Sequence, residues 1–262
     1  MKVISATTTL LSILLPFTPL LGADLPVPMP MPSPLTAPAG VNTAVYPAPR
    51  LDWVDRVNAD NAAAAQLADT IQLVFDGDSI TDWWKKPSMG TRDSGLQIWN
   101  DRYAKLGAFD FAIAGDKTQS LLWRLAQGQM KGIHPKLILL MIGTNNLSSN
   151  TNEEIAAGIK AILNEYRRLC PDAVILLQGI FPRTAEASHP LRARIKEINK
   201  MIAGYADGKK VLFLDFGDKF LQPDGTLSAE IMPDFLHPNG NGYRIWADAI
   251  QPTIDQFFPP SK

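Results

Sequence analysis

Cysteine is almost missing from this chain of 262 residues, and the single one, Cys170, excludes an intramolecular disulfide framework. Histidine is nearly as scarce. Its three copies, His134, His189 and His237, are scattered, and no HExxH or CxxC occurs, so the usual zinc-hydrolase and zinc-finger spacings are excluded and no cofactor is implied. A surplus of either charge is also lacking. Lys and Arg total 25 against 26 for Asp and Glu, and without a basic stripe to neutralise phosphates, nucleic acid is not an expected partner. What remains is an ordinary globular composition, 46% hydrophobic and 19% charged, on a chain long enough to bury a sizeable core.

Residues 1–23 carry Lys2 and then an apolar stretch interrupted by Pro16 and Pro19, which reads as a secretory signal peptide cleaved near Gly22 or Ala23. Two prolines in so short a run argue against a membrane span, so no integral membrane segment is expected after its removal, and the product is placed outside the cell or in a periplasm. Residues 24–50 hold 8 of the 21 prolines and read as a proline-rich, extended linker. From 51 to 262 a single catalytic-size domain is expected.

Within that domain helical and strand signals alternate, the mark of an α/β fold with a parallel sheet. A helix is expected over 51–70. Five apolar runs follow, at 71–75, 109–113, 137–142, 173–180 and 211–216, each with the length of a buried parallel strand. A last helix is expected from Tyr243 to Phe258. In such sheets ligands bind beyond the carboxyl ends of the strands, and the residues there are unusually polar: Asp76-Gly77-Asp78-Ser79, Gly115-Asp116 and Gly143-Thr144-Asn145-Asn146. With Asp234-Phe235-Leu236-His237-Pro238 near the end, these loops are expected to share one rim.

Ser79 stands where a strand turns into a helix, which exposes a hydroxyl and directs its own N–H at whatever that hydroxyl attacks. A turn with an N-capping serine reads the same in isolation. A serine hydroxyl needs a base, and the base needs a partner; His237, with Asp234 three residues earlier, supplies both if that turn is near-helical. His134 falls at the amino end of the sheet, and His189 lies in the loop after the fourth strand, outside these polar blocks. The Ser79 and Gly115 N–H groups and the Asn145 amide are candidate oxyanion donors. Asn146-Leu147-Ser148 spells a glycosylation sequon, read as accidental because a glycan there would obstruct Asn145.

Together these blocks, GDS at 77–79, Gly115, GTN at 143–145 and DFLHP at 234–238, resemble in order and spacing the SGNH (GDSL) hydrolases. The stretches FAIAGDKTQSLLWRL (111–125), IGTNN (142–146), FPR (181–183) with HPLR (189–192), and DFLHPNGNGY (234–243) are similar to the catalytic β/γ-type subunits of the platelet-activating-factor acetylhydrolase Ib branch, over roughly residues 70 to 257. The resemblance implies a flavodoxin-like three-layer α/β/α sandwich with a five-stranded parallel sheet, and metal-free hydrolysis of a short acyl ester. It also implies roles: Ser79 as nucleophile, His237 as base, Asp234 as its orienter, with Ser79, Gly115 and Asn145 forming the oxyanion hole.

Ile80, Thr144 and Leu236 flank those residues and are candidates to wall a short acyl pocket. Trp83, Trp84 and Trp123 are candidates for a sugar or apolar platform, with core packing the competing role. The leading expectation is a secreted esterase that removes acetyl groups from carbohydrate, acting on a small-molecule or glycan ester. A phospholipid acetylhydrolase or lysophospholipase, an acyltransferase with the same residues, and a non-catalytic binding module are the alternatives. Whether the chain self-associates is left open.

Overall fold

The computed structural model describes residues 37–88 and 94–260. The segment expected to be a signal peptide, and the start of the proline-rich one, lie outside them. Five strands form one parallel sheet: β1 (Leu73–Gly77), β2 (Ala108–Asp110), β3 (Leu137–Met141), β4 (Val174–Gln178) and β5 (Val211–Leu214), in the order β2-β1-β3-β4-β5. That order reverses direction at β1, and the crevice beside such a switch point is where these sheets place their ligands.

Helix α1 (Val54–Gln66) precedes β1; between the strands run a one-turn α2 (Ser79–Asp82), a short α3 (Leu96–Ile98), α4 (Thr118–Ala126), α5 (Asn152–Leu169) and α6 (Pro190–Ala203), and α7 (Gly240–Phe257) follows β5. Alternation along each strand divides the core in two. Val74, Ile138, Leu140, Ile175 and Leu177 meet α4, α5 and α6 on one face. Leu73, Phe75, Leu137, Leu139, Met141 and Leu176 meet α7 and the turns around residues 98–103 on the other. Side chains on successive strand residues point to opposite faces, so these apolar runs fill both layers of a three-layer sandwich. No helix among the described residues is long and apolar enough to cross a membrane.

Element ends follow local chemistry. The helix expected over 51–70 begins as a tight turn at Leu51–Trp53 and ends at Gln66. The expected strand at 109–113 stops at Asp110, whose side chain accepts from the Ala112 N–H and bends the chain. The last helix begins three residues early because Asn239 caps it, accepting from the N–H groups of Asn241 and Gly242.

The last residues of the expected linker are not a free tether. Ala44 is fully buried, its carbonyl accepts from Thr118 Oγ1 at 2.8 Å, and the Ala48 N–H donates to the Gln119 carbonyl. Thr43–Val45 form one tight turn capped by Asn42, and Pro47 and Pro49 keep the strap extended after it, so that its polar backbone groups reach partners on the domain.

Candidate active site

The site lies at the carboxyl edge of β1 and β3. Gly77 ends β1, and a Cβ there would sit 2.1 Å from the Met141 carbonyl oxygen, so only glycine lets β1 lie this close to β3 before turning. Asp78 then caps α2 by accepting from the Ile80 N–H, which presents Ser79 as the first helical residue. Among the described residues, no acceptor takes the Ser79 or Gly115 N–H. Both donors remain for another partner.

Ser79 Oγ lies 2.8 Å from His237 Nε2, and His237 Nδ1 lies 2.8 Å from Asp234 Oδ2. The turn that joins Asp234 to His237 is not helical. Phe235 sits at φ 56°, a left-handed conformation that is rare and costly for an aromatic residue, while Asp234 Oδ1 accepts from the Leu236 and His237 N–H groups. One carboxylate oxygen thus fixes the loop and the other meets the imidazole. Trp83 stacks on that imidazole, with centroids 4.1 Å apart and planes 17° from parallel.

Gly115 and Asn145 arrive from the loops after β2 and β3. Gly115 takes φ 82°, open to glycine, and Asn145 Nδ2 donates one hydrogen bond to the Asp116 carbonyl at 2.9 Å, leaving its second N–H. Four loops therefore meet at one rim, as the sequence implies. His134 is exposed before β3, and His189 is exposed and caps α6 through Nδ1, so neither joins them.

The three expected acyl-wall residues divide. Ile80 is 1% exposed within the apolar layer under α2, and Thr144 is 2% exposed, with its hydroxyl accepting from Arg183 Nη1; only Leu236 keeps surface. Branched residues before and after a catalytic motif can lie beneath it as readily as beside it. Trp84 is fully buried against Phe75, Tyr243 and Trp246, and Trp123 packs with Val54, Val57 and Ile113, so neither is a platform. The Asn146 side chain is buried too, donating to Thr118, Gln119 and Asn150, which closes the sequon to a glycan.

Several charged residues escape the sequence reading. Arg124 on α4 is buried, donating through Nε to Asp116 and through Nη2 to Asp76, while Asp76 also accepts from Tyr166 at 2.6 Å. Arg183, after β4, is half-buried facing Asp78 and Asp234; burial lowers its pKa and those two carboxylates oppose the shift. No spacing rule reveals these contacts. Their one visible trace is a lone arginine within the otherwise apolar LLWRL.

Burial pushes the Asp78 carboxyl up to about 7; the Asp116 charge adds to this, and the Ile80 N–H and Arg183 oppose it. Between the unfolded value of about 4 and about 7 the folded chain holds a proton that the unfolded chain has released. The stability Asp78 contributes is therefore full below about pH 4 and lost as the pH rises to about 7. Asp78→Asn keeps an acceptor for Ile80, and its melting temperature is expected to fall less than the parent's between pH 5 and pH 8. Thermal unfolding across that range checks this, and parallel curves would count against it.

A parallel α/β sheet that sets Ser, His and Asp in one hydrogen-bonded line beside unpaired N–H donors is the arrangement of a serine hydrolase. Comparison with known sequences narrows the class: residues 75–245 match the GDSL-like Lipase/Acylhydrolase family, and the chain belongs to it. It is a carboxylic ester hydrolase. The chain is 38% identical over 172 residues to the platelet-activating factor acetylhydrolase IB subunit alpha2 of Homo sapiens, covering 65% of this chain and 70% of that one. Among solved structures it resembles a GDSL-like lipase from Bacteroides thetaiotaomicron, with a TM-score of 0.61 and 22% identity over 78% of this chain and 97% of that one. It also resembles an acetyl xylan esterase, AlAXEase, with a TM-score of 0.57 and 20% identity over 70% of this chain and all of the other.

Proposed function

We propose that the protein is a secreted serine esterase that removes acetyl and other short acyl groups from carbohydrate through an acyl-enzyme. The observation that carries this reading is the unbroken line from Ser79 Oγ through His237 to Asp234, with 2.8 Å at each step. In it, His237 Nε2 takes the Ser79 proton as Oγ attacks the acyl carbonyl. The Asp234 carboxylate holds the proton on Nδ1 and stabilises the imidazolium. The developing oxyanion accepts from the Ser79 and Gly115 N–H groups and the Asn145 amide, and His237 returns the proton to the leaving alcohol. Water, deprotonated by the same imidazole, then releases the acid and regenerates Ser79.

Acetyl is favoured on the ground that Leu236, the branched residue that keeps surface next to His237, is placed to wall a short acyl pocket. Carbohydrate is favoured by the proposed export and by Trp83, the tryptophan of the three that lies at the site. The likeness to the acetylhydrolase subunit supports a second reading, an acetylated phospholipid. Initial rates on chromogenic esters from acetate to octanoate, followed by acetylated xylo-oligosaccharide against a 2-acetyl phospholipid, separate the readings. A steep preference for acetate and for the sugar is expected. Preference for octanoate would sink the acyl-size argument, faster turnover of the phospholipid would establish the second reading, and acetyl transfer to a sugar acceptor outrunning hydrolysis would make the protein a transferase.

A further inference from the structure

The strap of residues 42–50 precedes the family match at 75–245, yet it lies against both loops that carry the non-serine oxyanion donors. Thr118, three residues after Gly115, donates to the Ala44 carbonyl, and the Ala48 N–H donates to Gln119. On the other loop, Asn150 Nδ2 donates to Thr43 Oγ1 at 2.8 Å, and Asn146 bridges back to Thr118. At the end of the strap stands Arg50.

Its guanidinium encloses the Gly115 peptide. Arg50 Nη1 donates to the Ala114 carbonyl and lies 3.6 Å from Asp116 Oδ1, so one group holds the residues on both sides of Gly115. A Cβ on Gly115 would come within 2.7 Å of the same Nη1, which shows how closely the cation covers the turn. Asp116 takes Arg124 on its other carboxylate oxygen, and its carbonyl takes the Asn145 amide. The Gly115 N–H and the Asn145 amide therefore share one anchor. Outward, Arg50 Nη2 meets Asp52 at 3.0 Å and the guanidinium lies over Trp53.

We infer that Arg50 is a positioning residue: by fixing Ala114 and Asp116 it aims the Gly115 N–H and the Asn145 amide at the developing oxyanion, making the strap part of the catalytic apparatus. The inference rests on the esterase reading above. A guanidinium suits this place, because Nη1 faces the Ala114 carbonyl and the Asp116 carboxylate while the planar group lies over the Trp53 ring, which holds its orientation. A misplaced donor weakens the transition state more than it weakens substrate binding, so kcat carries the effect.

The test uses the full chain with p-nitrophenyl acetate. Arg50→Ala is expected to lower kcat by about 10–100-fold with KM within about twofold. Millimolar guanidinium is expected to restore part of the loss in Arg50→Ala and none of it in Ser79→Ala. Arg50→Lys, which keeps the charge and loses the planar group, is expected to fall between, and it decides the matter if the alanine variant does not fold. Asp52→Asn, which removes only the exposed partner, is expected to leave kcat unchanged. A folded Arg50→Ala or Arg50→Lys with parental kcat, or a loss in KM alone, overturns the inference while the esterase reading stands. A parent without Ser79-dependent hydrolysis overturns both.

Discussion

Ser79→Ala and His237→Ala are each expected to lower kcat on acetyl esters by about 10⁵–10⁶, and the double variant by little more than either. With Oγ gone there is no atom to form the acyl-enzyme, and with the imidazole gone the hydroxyl 2.8 Å away keeps its proton at neutral pH. The two groups act in one proton transfer, so removing the second loses almost nothing further. Asp234→Asn is expected to cost less, because the base remains and the other constraints on its ring, the stack on Trp83 and the backbone turn, persist. Kinetics of the four variants check this. Additive losses in the double variant, or an Asp234→Asn loss equal to that of His237→Ala, would separate these residues from the roles proposed for them.

The part of this site that the sequence reveals is the part that chemistry binds to local pattern. Ser79 follows a strand run and a glycine, and Asp234 and His237 share a turn, so their types and spacing carry information. The parallel sheet is equally legible because each strand, buried on both faces, reads as a short continuous apolar run. Local turn chemistry moves the ends: the Asp110 side chain shortens β2, and the Asn239 cap lengthens α7.

What the sequence conceals is long-range. Asp76 and Tyr166 meet across 90 positions, and Arg50 and Ala114 across 64, through pairings that only the folded sheet creates. Burial is similarly hidden at single positions. Trp83 and Trp84 are neighbours in sequence, yet one stacks on His237 and the other is sealed among Phe75, Tyr243 and Trp246. The strap's contacts are hidden for a different reason: proline content speaks to the extended backbone around Pro47 and Pro49 but is silent on whether that backbone finds a surface.

Arg124→Met is expected to destabilise the folded chain by about 3–5 kcal/mol, a large share of the roughly 5–15 kcal/mol that holds a typical domain together. At about 2–4 °C per kcal/mol for a domain of this size, the melting temperature falls by roughly 6–20 °C. The apolar side chain fills most of the space, so the expected loss comes from charge. Asp76 and Asp116 are left buried without their shared cation, and the Phe111 carbonyl loses its donor. Burial already pushes Asp116 up to about 6, with Arg124 the main force holding it down, so without Arg124 its carboxyl takes up a proton more readily. The deficit is therefore expected to be smaller at pH 5 than at pH 8, and Asp116→Asn added to Arg124→Met is expected to recover part of it. Neither follows if arginine merely fills volume, for then the deficit is the same at both pH values and the second substitution adds a further loss. The same variant is expected to lose activity at temperatures where it remains folded, since Asp116 anchors the Asn145 amide and flanks Gly115. Stability and turnover thus depend on one buried cation, and unfolding curves at the two pH values, beside kcat at 25 °C, measure both.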